Sequence, residues 1–174
     1  MTLFVDGYNL IFAAARKLPG FDMKQTEAAR EALLLLLAKF SSLRPGREVV
    51  FFDGGPEAAH LPRRQREHGM EVVFSEAKSD ADSDIKSAVS RDAEPRAVRV
   101  ITSDAAIRRF VARHGASVTG AEEFLEEVSE GLRQNSIPAD EPIEKYEGAA
   151  DGGDGDTAYW LKVFGEEKKK DKDK

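Results

Sequence analysis

The sequence predicts an α/β domain of three layers, with a mainly parallel central sheet between helices and a flexible C-terminal tail. Three observations lead there. Short apolar runs such as Leu3-Phe4-Val5 and Val49-Val50-Phe51-Phe52 read as strands buried on both faces, as in a parallel sheet. Helical patterns of crossover length lie between such runs. Three of the strands deliver an aspartate at their C-terminal ends: Asp6, Asp53 and Asp104.

The elements follow in order. After the first strand, residues 10–17 read as a short helix closed by Pro19-Gly20. Asp22 and Gln25 stand at capping-box spacing before a longer helix reaching about Leu43. Its run Leu33-Leu34-Leu35-Leu36-Leu37 is apolar all round and suits a deeply sandwiched helix. The second strand covers residues 48–52. Residues 62–69 read as a basic loop, and residues 71–74 as the third strand. Residues 79–91 read as a helix with Ala81, Ile85, Ala88 and Val89 on its apolar stripe. A fourth strand at 98–102 leads into a helix over 104–114, with Ile107, Phe110 and Val111 inward and Gly115 as its stop. A short strand at 116–119 and an amphipathic helix at 122–132 close the domain.

The texture changes near residue 133, so residues 1–132 read as one domain and 133–174 as an acidic, Gly-rich tail. Asp151-Gly152-Gly153-Asp154-Gly155-Asp156 reads as disordered linker without the calcium-loop pattern. Residues 158–164, with Trp160, read as a segment that docks on the domain or on a partner.

Composition narrows the chemistry. With no Cys there is no disulfide partner, thiolate nucleophile or thiolate metal site. His60, His68 and His114 do not fall at metal-ligand spacing, so any metal should be hard and oxygen-ligated, Mg²⁺ or Mn²⁺. No apolar run approaches a membrane span, and Met1 leads directly into a strand, so neither membrane insertion nor a signal peptide is expected. A cytoplasmic location is the default. The formal net charge of −6 argues against holding nucleic acid by bulk electrostatics, so local pattern matters more.

Ligands of open parallel α/β sheets bind at the C-terminal strand edge. Asp6, Asp53 and Asp104 all fall there, and the helix start after the third strand adds Asp80, Asp82 and Asp84. Clustered carboxylates repel and raise their own pKa values unless a cation sits among them. The economical reading is a divalent metal held by several Asp, performing phosphoryl or phosphodiester chemistry. Each acid also has a plainer role. Asp104 or Ser103 fits an N-cap, Ser79 with Asp82 fits a capping box, and Asp80 and Asp84 fit a solvated helix face. Asp53 fits a turn and Asn9 a helix cap. Asp6 is hardest to explain without a partner, because a carboxylate at a buried strand end is costly alone.

Leu3-Phe4-Val5-Asp6-Gly7-Tyr8-Asn9-Leu10-Ile11 resembles the signature of the NYN division of PIN-like nucleases, specifically the YacP-like group. Val49 to Gly54, Glu71 to Ser75, Ala81 to Ile85, Val100 to Asp104, Gly115 to Val118 and Glu123 to Leu125 agree with it in order and spacing. The resemblance covers roughly residues 1–130. It implies a PIN-like (Rossmannoid) fold and metal-dependent endonucleolytic cleavage of single-stranded RNA. It maps the acids onto Asp6, Asp82 and Asp104, with Asp53 and Asp84 as supports and Asn9 in the signature; apart from the resemblance, Ser103 reads as an N-cap or as a donor to a metal-bound carboxylate. It also permits cleavage of mRNA on the ribosome. The Arg-rich loop after Asp53 and the tail depart from the pattern.

RNA contacts are expected from Arg63, Arg64 and Arg66, topologically near the acids, and from Tyr8 by base stacking. The plainer readings are a solvated basic turn and a rim aromatic. Arg108 and Arg109 read as a solvated helix face. Two rival functions stand beside the endoribonuclease. One is a non-cleaving RNA- or ribosome-binding module of the same fold. The other is a phosphatase with an aspartate nucleophile, whose Asp-x-Asp-Gly-Thr signature is absent because Asp6 is followed by Gly7-Tyr8.

Overall fold

The computed structural model describes residues 1–135 except 19–20, 22–25, 45, 56–57, 59 and 77–78. Among them six strands form one sheet in the order β3-β4-β2-β1-β5-β6, where β1 is Thr2–Asp6, β2 Arg47–Phe52, β3 Arg64–Glu67, β4 Met70–Phe74, β5 Val98–Ile101 and β6 Ser117–Thr119. All neighbours pair in parallel except β3 with β4. The helices are α1 Gly7–Lys17, α2 Thr26–Ser41, α3 Ala81–Arg91, α4 Ala105–Arg113 and α5 Ala121–Gln134.

Strand alternation divides the core in two. Leu3, Val5, Val50, Phe52, Val72, Phe74 and Ile101 face α1, α2 and α5, while Phe4, Val49, Phe51, Val73, Val98 and Val100 face α3 and α4. This is the three-layer α/β architecture that the sequence predicts. The poly-leucine run works as expected: Leu33, Leu34, Leu36 and Leu37 are all buried. Each contributes about 1.5–3 kcal/mol of hydrophobic stabilisation. Leu35 is the half-buried member.

Three local expectations are revised. Helix α1 begins at Gly7, not Leu10, because Asp6 caps it by accepting from the Asn9 backbone N–H at 3.2 Å. Helix α3 is capped by Asp80, which accepts from Ser83 N at 2.7 Å, so the cap lies one residue beyond the Ser79–Asp82 pairing. The third revision is β3. Arg63, Arg64 and Arg66 were expected in a loop, but Arg64 and Arg66 lie on an antiparallel edge strand and Arg63 immediately precedes it. The physical reason is the turn that follows. His68 (φ 49) and Gly69 (φ 84) both adopt the left-handed region, as a two-residue type I′ hairpin requires.

The helix after Asp104 ends as expected at His114 and Gly115, with Gly115 at φ 80. Helix α5 runs to Gln134, two residues past the boundary read from the sequence. The Asp22–Gln25 cap and the tail segment at 158–164 lie outside the described residues.

Candidate nuclease site

Strand β1 lies at the middle of the sheet, between β2 and β5. The chain leaves it towards β2 and later returns to its other side at β5, so its C-terminal end opens on the crevice where α/β sheets bind ligands. Asp6 ends this strand and is 8% exposed. Its Oδ1 accepts from Asn9 N and its Oδ2 from the Thr102 hydroxyl at 2.9 Å. These donors are neutral. Burial pushes the Asp6 carboxyl up to about 6 against the two hydrogen bonds, and the charges of Asp82 and Asp53 add to the rise.

Thr102 ties two acids together. It is fully buried just past β5, donates to Asp6 and accepts from the Asp104 backbone N–H at 3.1 Å. Asp104 in turn caps α4, its Oδ1 accepting from Ala106 N at 2.7 Å and Ile107 N at 2.9 Å. Asn9 and Ser103 form a second tie: Asn9 Oδ1 accepts from Ser103 N at 2.9 Å. The Ser103 hydroxyl donates to Glu122 at 3.0 Å and accepts from Ala121 N at 3.0 Å, which fixes the start of α5 to the same edge.

Asp53 positions the remaining acid. Its Oδ1 accepts from the Ala81 backbone N–H at 2.7 Å and so draws the start of α3 to the end of β2. The approach is close. Gly54 N donates to Ser75 Oγ at 2.9 Å, and a Cβ added to Gly54 would lie 1.8 Å from the Ser75 carbonyl oxygen. Asp82 stands on the first turn of α3, and its carboxyl is raised by burial and by the charges of Asp104, Asp80 and Asp53. Lys86 stands one turn away at 3.7 Å and works in the opposite direction.

The structure therefore brings Asp82 within electrostatic reach of Asp6, Asp53 and Asp104, and Asp53 within reach of Asp6, with Asn9 and Ser103 tied to the same edge. Asp84 is placed differently. Two residues on from Asp82, it points to another side of α3, and its Oδ1 accepts from Arg63 at 3.2 Å. Tyr8 is half-buried, packs edge-on against Phe52 and accepts from Arg30 through its hydroxyl at 3.1 Å. Arg63 pairs with Glu76 and Asp84, Arg64 with Glu71, and Arg66 is exposed. Thr102 and Lys86 escaped sequence reasoning. The signal for Thr102 was a lone hydroxyl ending an apolar strand beside Ser103-Asp104.

Among the described residues no three His or carboxylate side chains stand close enough, as they lie, to form a ready metal cage. The donor chemistry nevertheless fits a hard divalent ion. Asp6 is a desolvated carboxylate with no cationic partner, and Mg²⁺ takes only one or two direct carboxylates while keeping several waters.

A mostly parallel sheet flanked by helices on both sides, with acids at its carboxyl edge, is the architecture of PIN-like nucleases. The chain belongs to the YacP-like NYN domain family, whose model matches residues 3–150. Two solved structures of Rae1 (YacP) from Bacillus subtilis are similar to it. A mutant form is 30% identical with a TM-score of 0.63, covering 76% of this chain and 77% of that one. The other is 29% identical with a TM-score of 0.59, covering 77% of this chain and 76% of that one. A search of curated proteins finds no match. The family gives the chain an RNase-type nuclease fold. Among the described residues no helix is long and apolar enough to cross a membrane.

Proposed function

We propose that the chain is a divalent-metal-dependent endoribonuclease acting on single-stranded RNA in the cytoplasm, with Asp6, Asp82 and Asp104 holding Mg²⁺ or Mn²⁺ and Asp53 in support. The observation that carries this reading is Asp6, a buried carboxylate raised to about 6 by desolvation, faced by other acids and, among the described residues, by no arginine or lysine. An external cation removes that penalty. When bound, it supplies Lewis-acid stabilisation of charge developing on the phosphodiester and a nucleophilic water near neutral pH. The chain's own residues set the geometry. Thr102 and the Asn9 backbone hold both oxygens of Asp6, and Asp53 holds the helix start that carries Asp82. Asp84 belongs to the Arg63 bridge in this reading and not to the ligand set.

A non-cleaving RNA-binding module is the second reading. Its support is that Asp104 Oδ1 is engaged in capping α4 and that no three-ligand cage stands preassembled among the described residues.

Cleavage of labelled single-stranded RNA in Mn²⁺ separates the two, comparing the parent with Asp6→Asn and Asp82→Asn, with and without ribosomes. Presentation of mRNA by a ribosome is within the proposal. Each substitution should reduce cutting by roughly 10²–10³-fold or more, the scale of losing one preorganised electrostatic group. Mn²⁺ should also raise the parent's Tm by preferential binding to the folded state, and should do so less in Asp6→Asn. Equal cutting by parent and both variants would sink the metal site. RNA binding without cutting under any condition would favour the second reading.

A further inference from the structure

A second feature lies around the corner from the acids. Helix α3 packs over β1 and β2, and the sheet continues beyond it through β4 to β3. Between α3 and that flank runs a groove of about 420 Å³, floored by Val49, Phe51 and Val73. Four arginines line it, Arg47, Arg63, Arg64 and Arg91, against three carboxylates, Glu71, Asp84 and Asp92. Arg66 projects from the same face of β3 as Arg64. In a chain of net charge −6 this is a local excess of positive charge.

One end of the groove reaches the first turn of α3, the turn that also carries Asp82. At its mouth Arg63 Nη2 bonds Asp84, two residues from Asp82 on the first turn of α3. Arg64 pairs in register with Val73, which aligns with Phe51 and so with Asp6. Arg47 aligns with Thr2, four residues further down the strands, or about 13 Å. The arginines therefore form a descending row that starts level with Asp6.

The row is held but not saturated. Glu71 alone serves two guanidiniums, accepting from Arg47 at 2.9 Å and Arg64 at 2.8 Å. Arg91 and Arg66 have no ion-pair partner among the described residues. Exposed ion pairs are worth under about 1 kcal/mol, so a phosphate displaces them readily. Guanidiniums also bind phosphate oxygens bidentately.

We propose that this groove carries the phosphate backbone of the single-stranded RNA on one side of the cut, with Arg63 at its mouth and Arg64, Arg47 and Arg91 along it. The assignment rests on the nuclease reading for its substrate and extends it with a direction for the strand.

The test uses the full chain and a labelled single-stranded RNA. Binding is measured by fluorescence anisotropy in chelator, where no metal-dependent cutting occurs, and cutting is measured in Mn²⁺. The variant is Arg47→Gln with Arg91→Gln, and Arg91→Gln alone serves if the double variant melts early. A charge-matched control places Arg109→Gln with Arg113→Gln on α4. The double groove variant should bind roughly tenfold more weakly, with the log–log salt slope shallower by about 1.4, at about 0.7 per lost contact. Its KM should rise while kcat is kept. The defect should shrink when the RNA is shortened from one end and persist when it is shortened from the other. Parent-like binding by both groove variants would overturn the proposal, as would an equal loss in the α4 control. Failure of the nuclease reading shows separately, as undiminished cutting by Asp6→Asn, and leaves the binding comparison standing.

Discussion

Asp6 and Glu127 are both carboxylates partly withdrawn from water, and the fold treats them oppositely. Burial works against the charge of Glu127 too, but Arg99 and Arg44 bond it and hold its carboxyl below the usual range. Glu127 is thereby a structural acid that knits α5 to β5 and to the end of α2. Asp6 receives only a hydroxyl and a backbone amide and is driven upward. The difference marks Asp6 as the place where the proposed metal would supply the charge that arginines supply at Glu127. Among the described residues no basic side chain stands beside Asp6 as two do beside Glu127.

The largest expected effect breaks the comparison at Asp6. Its carboxyl holds a proton up to about pH 6 in the native state and to an ordinary 3.8 when free. Between those pH values folding takes up a proton, so this group's contribution to stability falls as pH rises. The gap corresponds to about 3 kcal/mol. Asp6→Asn should therefore be more stable than the parent by up to about that amount at pH 7, with the advantage gone near pH 4. Urea unfolding across that range reads it directly. An unchanged profile would mean that Asp6 is not desolvated.

At Glu127 the sign should reverse. Arg99→Met removes two hydrogen bonds to Glu127, one to Thr119 and a cation over the Phe124 ring. It should cost about 1–2 kcal/mol at pH 7, since these groups are partly exposed and Arg44 remains. RNA cutting at saturation should stay as in the parent. The smallest effect belongs to Lys86, a cation 3.7 Å from Asp82 on the next turn of α3. Lys86→Gln should change stability by less than about 1 kcal/mol. It should also raise the Asp82 titration midpoint, seen by NMR of the carboxyl carbon.

Strands with an apolar run were legible in the sequence, because burial on both faces leaves a continuous hydrophobic signature. Strand β3 was not, because Arg64-Gln65-Arg66-Glu67 sits on an edge with its side chains in or near water. Its only trace was the His68-Gly69 turn between two segments that could pair. At the site, the aspartates announced themselves by position at strand ends. What holds them did not: the Thr102 bridge spans 96 residues and the Asp53–Ala81 bond 28, and neither separation has a local pattern. The Asp82/Asp84 pair shows the same limit. Both were candidates by composition, and only the turn of α3 sends one towards Asp6 and the other to Arg63.

The contact between Gly54 and Ser75 has a consequence for how this chain can vary. A side chain at 54 would run into the Ser75 carbonyl at 1.8 Å, whereas one added at Gly55 would meet nothing within 4 Å. Adjacent glycines thus face opposite evolutionary freedom. Position 55 is open to drift, since a side chain there meets only open space. Position 54 is closed, since any replacement would wedge β2 from β4 and carry Asp53, and with it the start of α3, out of place.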